Sequence, residues 1–350
     1  MNFMPAKIPT RRAFAERMVD RARDDKDFVV FESDLAKSTY SYLFHEAYPN
    51  RYFNMGIAEI GTSAISAGMA AEGRTVIVCG YGVFITMRAL EAIRSFICYP
   101  HLNVKFLSSH GGLTAAIDGV THQATEDIAF MTTLPNMKVL APADTESAKA
   151  AFDIALATPG PVFTRLMRDP LYDFYSSKES FVLGGSKTIR TGNDITIAAY
   201  GDMVIQALQA ADMLSNKGIE AEVIDFYSIK PWDKEALENS LSKTNALLVA
   251  ENHQRRNGFG YELAVCCLEN KPVPISLIGL DDTFGESGAY LKTLRKFGMD
   301  ADAIAEKAEQ LVNRKRMALI YSIICSKQCI FMHSPLDSVS INRIQTLLIY

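Results

Sequence analysis

The chain has 350 residues, a length that suits two domains of ordinary size. Hydrophobic residues make up 48% and charged residues 22%, so each domain can bury a core, and no fibrous or low-complexity reading is needed. A net charge of −4 gives no global pull toward nucleic acid or an anionic membrane, and neither is expected as a partner. The first residues contain no apolar run suited to a signal peptide, and no stretch reads as a bilayer span, so a cytoplasmic location is expected. Six cysteines without scaffold density fit a reducing compartment. Cys325 and Cys329 have a C-x3-C spacing but no second ligand pair, so zinc is not expected and no metal ligand is assigned.

Ala13, Phe14, Met18 and Ala22 fall near helical spacing, which predicts an amphipathic helix over 10–22. Strands are predicted over 28–35, 74–82, 103–109, 137–144 and 160–166, with helices over 59–73, 88–99 and 145–157 between them. Such alternation predicts a parallel sheet covered by helices on both faces. Turn formers without a sustained period make 171–191 a linker holding one short strand. A second alternating series occupies 192–314, with strands over 194–201, 219–229, 245–252 and 274–280. The expected fold is therefore α/β: two doubly wound domains with largely parallel sheets, over 1–170 and 192–314. Residues 315–350 are apolar without helical period or caps, and no role is assigned to them.

Three constellations can carry chemistry. In the run 54–61 a glycine turn precedes Glu59, which opens an apolar helix. Such a carboxylate is ordinarily a partner of the helix dipole. With Ile57, Ala58 and Ile60 beside it, it can also be a buried acid that hydrogen-bonds a ring nitrogen. The second constellation is a glycine-rich loop, 108–129, which follows a predicted strand and carries His110, Asp118 and His122. Loops at the carboxyl ends of strands face the ligand crevice in open α/β sheets. Handling of hydroxyls or protons ranks above a metal site there, since the spacing offers no clear coordination geometry. The third is Arg165, at the end of the predicted strand 160–166, either a surface ion pair or a fork for a substrate phosphate. Arg11 and Ser38 can join it from other loops.

Together these runs resemble the C-terminal half of the transketolase family. Gly56-Ile57-Ala58-Glu59, the stretch 118–147 and 160–166 match its pyrimidine-binding domain in order and spacing, while 226–233, 248–253 and 281–288 resemble its smaller C-terminal domain. The resemblance covers about residues 8–312. It implies thiamine diphosphate as cofactor, with Glu59 bonding the aminopyrimidine and driving the tautomer that removes the thiazolium proton. It also implies Phe84 stacked on the pyrimidine with Tyr81 as its neighbour. Asp118 and His122 would meet the sugar hydroxyls, His122 with a catalytic part, and His110, Arg165, Arg11 and Ser38 would hold the phosphate end.

The implied reaction transfers a two-carbon ketol unit between sugar phosphates. The family's Gly-Asp-Gly motif, which holds the diphosphate and Mg2+, is absent from this sequence. The resemblance therefore implies an N-terminal transketolase subunit as partner, Mg2+ bound mainly there, and a heterotetramer of two copies of each chain. His110 together with the run 118–123 favours transketolase over the related deoxyxylulose-phosphate synthases and 2-oxo-acid dehydrogenase β subunits. An unusual-sugar transketolase and a catalytically silent scaffold subunit are the remaining readings.

Overall fold

A computed structural model describes residues 3–331, with side chains to Met317. Strand Phe28–Glu32 is buried along its whole length, as are Val104–Ser109 and Val162–Arg165. Continuous burial is what a parallel strand covered on both faces requires. These strands belong to a seven-stranded sheet. Its order is Ser228–Lys230, Lys138–Leu140, Val162–Arg165, Val104–Ser109, Thr75–Tyr81, Phe28–Glu32 and Tyr52–Asn54, parallel throughout except for the first strand. The second sheet has five strands in the order Ile275–Leu280, Leu247–Gln254, Ile195–Ala199, Ala221–Asp225 and Lys187–Arg190, the last antiparallel. Both sheets are doubly wound α/β layers, as the alternating pattern implies.

The helix over 145–157 begins where expected because Asp144 accepts the N–H of Ser147 at 2.9 Å and the Ser147 hydroxyl accepts that of Asp144 at 2.9 Å. The predicted helix over 88–99 is instead two wide π-turns, Phe84–Arg88 and Ile93–Cys98, around the short α-turn Leu90–Ala92. Such bulges often mark functional sites. The predicted strand over 219–229 breaks after Asp225: Phe226 N–H bonds back to Ala199 O, and Ser228–Lys230 crosses to the edge of the first sheet. The last helix runs over Ala301–Phe331, through the start of the stretch read as an aperiodic tail, and 332–350 lie outside the described residues. Cys79, Cys98, Cys266 and Cys267 are buried and unpaired, whereas the side chains of Cys325 and Cys329 lie outside the described part. No helix among the described residues is long and apolar enough to cross a membrane.

The two layers meet over a polar seam centred on Arg165, which is 4% exposed. Its Nε donates to Asp127 Oδ2 at 2.8 Å, its Nη2 to Asn252 O at 2.7 Å and Ala124 O at 3.3 Å, and Nη1 stands 3.8 Å from Asp202 Oδ1. The expectation that Arg165 forks onto a substrate phosphate is corrected by this placement. A side chain on a strand buried on both faces points into the interior, and its donors are already taken. Arg165→Met keeps the bulk but strands two buried carboxylates, and should cost about 3–5 kcal/mol of stability. A lowered urea midpoint checks this; unfolding at the wild-type midpoint would show that the seam is held by something else.

Candidate functional site

Parallel strands place all their carboxyl ends on one edge, and the order of the first sheet reverses between Phe28–Glu32 and Thr75–Tyr81. Ligands bind at such switch points. Ser38 follows the first of these strands, Tyr81 ends the second, His110 follows Val104–Ser109, and Arg168 follows Val162–Arg165. Glu59 opens the helix Glu59–Ala71 after the edge strand. Except for Arg165, the residues singled out in the sequence converge here.

At one end Glu59 is buried and accepts Arg88 Nη1 at 3.1 and 3.2 Å. The same guanidinium lies 4.4 Å from the ring centre of Phe84, a cation–π contact. Phe84 runs parallel to Tyr81 at 5.8 Å, and Tyr81 stacks on His110 at 3.8 Å. His122 meets both aromatic rings edge-on, at 5.8 and 5.4 Å. A cavity of about 310 Å³ opens beside Phe84, lined also by Val83, Met87, Arg88 and Gln123. The buried Gln123 Oε1 and the Glu126 Oε2 on its wall have no hydrogen-bond partner within the described residues. Ile57 and Ile60 do not form the apolar wall expected around Glu59, since they are 76% and 58% exposed.

At the other end the surroundings are cationic. Arg11 donates from Nε to Arg168 O at 2.9 Å and from Nη1 to Ser38 O, so Ser38 contributes its carbonyl to the site. Arg11 Nη1 also stands 3.5 Å from His110 Nε2. A guanidinium only donates, so Nε2 is the acceptor, and the ring proton sits on Nδ1, facing Ser109 Oγ at 2.9 Å. Asp118 Oδ2 lies 3.9 Å from His110 Nε2 and 3.7 Å from Arg168 Nε. Arg168 Nη1 also faces Asp169 Oδ1 at 3.5 Å, so two guanidiniums meet two carboxylates here, and their forked donors suit an anion rather than a metal ion.

Sequence reasoning misses Arg168 because Arg165, in the same run, is the more obvious candidate. The separating signal is position: Arg165 is the last residue of the strand, whereas Arg168 lies beyond it on the crevice edge. It misses Arg88 because an unbroken helix over 88–99 hides the π-turn that turns it toward Glu59.

The fold and this edge define a parallel α/β layer with a ligand crevice at its switch point, followed by a smaller α/β domain. Residues 6–172 match the family model described as transketolase, pyrimidine binding domain, and 184–304 that described as transketolase, C-terminal domain. The chain belongs to the transketolase family. It is 36% identical over 307 residues to the 6-deoxy-6-sulfo-D-fructose transketolase subunit of Clostridium sp. (strain MSTE9), covering 87% of this chain and 95% of that one. It is 34% identical over 308 residues to an apulose-4-phosphate transketolase subunit of Phocaeicola vulgatus, covering 88% and 98%. A solved split-gene transketolase, described as an inactive β4 tetramer, superposes with a TM-score of 0.80 at 37% identity, covering 87% of this chain and 98% of that one.

Burial, and then Arg11, Arg168 and His122, push the His110 pKa from 6.5 down to about 2. The folded chain therefore stays neutral there while the unfolded chain takes up a proton below pH 6.5. The unfolded state binds more protons, so stability falls with pH in that window by about 1.4 kcal/mol per unit. His110→Asn, which tolerates the left-handed backbone at φ 63°, should flatten this slope between pH 6.5 and 5 in urea titrations. An unchanged slope would assign the acid sensitivity elsewhere.

Proposed function

We propose that this chain is the C-terminal subunit of a split transketolase that moves a two-carbon ketol unit between sugar phosphates, using thiamine diphosphate. One observation carries the reading: contacts run unbroken from the Glu59 carboxylate through Arg88, Phe84, Tyr81 and His110 to Arg11. That line joins a carboxylate and an aromatic face at one end to a doubly cationic pocket at the other. The first end fits a flat ring with a protonated nitrogen: Phe84 offers its face and Glu59 an acceptor for that nitrogen. When bound, the cofactor supplies the nucleophilic carbon and the electron sink of the reaction.

The chain's own residues do the rest. Glu59 must exchange Arg88 for the ring nitrogen, and since the Arg88 side chain is 50% exposed, its loss from that pair costs little. Asp118 and His122 stand where the hydroxyls of a bound sugar would lie, and His122 is the proton carrier of the pair. Arg168 forks onto the anionic end of the sugar, and Arg11, whose Nε and Nη1 are held by Arg168 O and Ser38 O, adds its charge beside it. His110, held neutral beside them, keeps its Nδ1 proton on Ser109 and offers Nε2 as an acceptor, which suits a sugar hydroxyl.

A partner chain is part of the proposal. The sequence has no Gly-Asp-Gly motif for a diphosphate and Mg2+, and the apolar residues flanking Glu59 lie open to a second surface. The proposal includes an assembly of two copies of each chain. The relatives that act on a sulfonated sugar and on apulose phosphate favour one variant: two guanidiniums hold a sulfonate as readily as a phosphate, so an unusual sugar belongs in any substrate panel.

The test is ketol transfer by this chain with and without a Gly-Asp-Gly-bearing partner, in thiamine diphosphate and Mg2+. Activity is expected only in the mixture; activity of this chain alone would overturn the shared site, and an inactive assembled complex would overturn the ketol reading. In the active mixture Glu59→Gln should lower kcat at least ~10²-fold. Arg168→Leu should raise KM for the anionic sugar by about tenfold or more, the scale of one lost charge-assisted bond. A normal KM would remove Arg168 from the anion pocket.

A further inference from the structure

The loop that bears Asp118 and His122 has almost no regular structure of its own, only two short 3-10 turns, Leu113–Asp118 and Val120–His122. Its backbone is left-handed at His110 (φ 63°), Gly112 (59°), Ala116 (52°) and Gly119 (78°). For His110 and Ala116 that conformation costs about 1–2 kcal/mol each and persists only where the surroundings hold it.

The first domain holds its start, with the Gly111 N–H on Leu166 O at 3.2 Å and Tyr81 stacked on His110, and the second domain holds it from Leu113 onward. Asn252, wholly buried at the end of the polar seam, accepts the Leu113 N–H on Oδ1 at 2.9 Å. Its Nδ2 donates to Asp202 Oδ2 at 2.7 Å, and its main-chain oxygen accepts Arg165 Nη2 at 2.7 Å. Further along, Gln123 Nε2 donates to Glu286 O at 2.9 Å, and the Gln254 N–H donates to Thr125 O at 2.8 Å. There is no slack: a methyl at Gly112 would lie 2.6 Å from Asn252 Oδ1, and one at Gly285 2.5 Å from Leu113 Cδ2.

We propose that the second domain serves as a brace for this loop, and that Asn252 is a positioning residue whose bond to Leu113 sets where His110, Asp118 and His122 stand. Asn252 touches no substrate and acts only through the loop. An amide is the side chain that can accept from the loop N–H and donate to the Asp202 carboxylate at once. A leucine there leaves both groups buried and unpaired, whereas an aspartate, sharing one proton with Asp202 in this buried place, keeps the acceptor for the loop. The loop's placement is independent of the proposed function; the catalytic consequence rests on it.

Hydrogen exchange on the whole chain, read over 110–124, tests the first part. Asn252→Leu should speed exchange there at least tenfold while 75–81 stays at the wild-type rate, and Asn252→Asp should keep most of the protection. Leu241→Ala, a core truncation in the helix Lys234–Thr244, is the control for general destabilisation and should leave the loop protected. In the complex with partner, thiamine diphosphate and Mg2+, Asn252→Leu should lower donor kcat/KM at least tenfold with cofactor affinity within about twofold, since Glu59 and Phe84 lie off the loop. If Asn252→Leu does not fold, Gly112→Ala breaks the same contact from the loop side and should give the same two results. An undisturbed loop, equal loosening by Leu241→Ala or Asn252→Asp, or full activity with a loosened loop would each overturn the proposal. A wild-type complex without ketol transfer would instead overturn the proposed function, leaving the exchange result to decide the brace.

Discussion

One buried guanidinium sets the relation between the two halves of this molecule. Arg165 faces Asp127 from its own domain and Asp202 from the other, and it closes on two main-chain oxygens, Ala124 and Asn252, one from each side. Its pKa is pushed up: the neighbouring Asp127, Tyr200 and Asp202 outweigh the opposing effect of burial. Burying such a cluster gives little net stability, because the desolvation of three charged groups offsets most of their attraction. What it gives is orientation. A planar fork satisfied in fixed directions admits one docking angle, whereas an apolar seam of the same area would tolerate sliding.

That angle matters because the site is assembled from ends. Every group in it sits just past a strand or at the first turn of a helix, so the sheet fixes its origin but not its last few ångströms. The shorter connections manage on local chemistry: Glu59 is placed by the helix it opens, Tyr81 by the strand it ends. The long segment from His110 to Gln123 cannot. It carries left-handed residues and is bonded internally only in single short turns, and it lies between the first sheet and the residues 252–254 and 285–288 of the second domain. Seam and loop are thus one mechanical unit, and the seam polarity belongs to the site as much as to the fold.

The sequence made legible whatever depends on local pattern. Helix Thr145–Ala157 is bounded correctly because Asp144 and Ser147 form a box readable from four residues. The buried strands show as apolar runs, and the glycine-rich loop announces itself by position after one of them. What it hid depends on distant partners. Residues 219–229 hold no Gly or Pro to break the run, and nothing local says that Ser228 and Ile229 leave their sheet for the other. The helix Asp127–Thr133 is seven residues long, too short for its period to stand out. Arg165 and Arg168 have the same chemistry three residues apart, and only the end of a strand separates an interior clasp from an anion ligand.

The charge distribution makes the same point about function. Arg11, Arg168 and His110 form a cluster that would repel itself if all three were charged, and the structure avoids this by burying the imidazole and holding it neutral. Asp118 and Asp169 then balance the two guanidiniums in charge, and the forked donors of Arg168 remain at this end of the crevice. At the far end Glu59 and Arg88 neutralise each other, with the arginine half in solvent. An anionic group entering the crevice is therefore drawn to the Arg168 end, and a ring able to share a proton displaces the weaker, wetter pair at the other. Because one end offers an aromatic face and a carboxylate and the other forked guanidinium donors, the groove fixes the direction of a bound molecule before any base or acid acts on it.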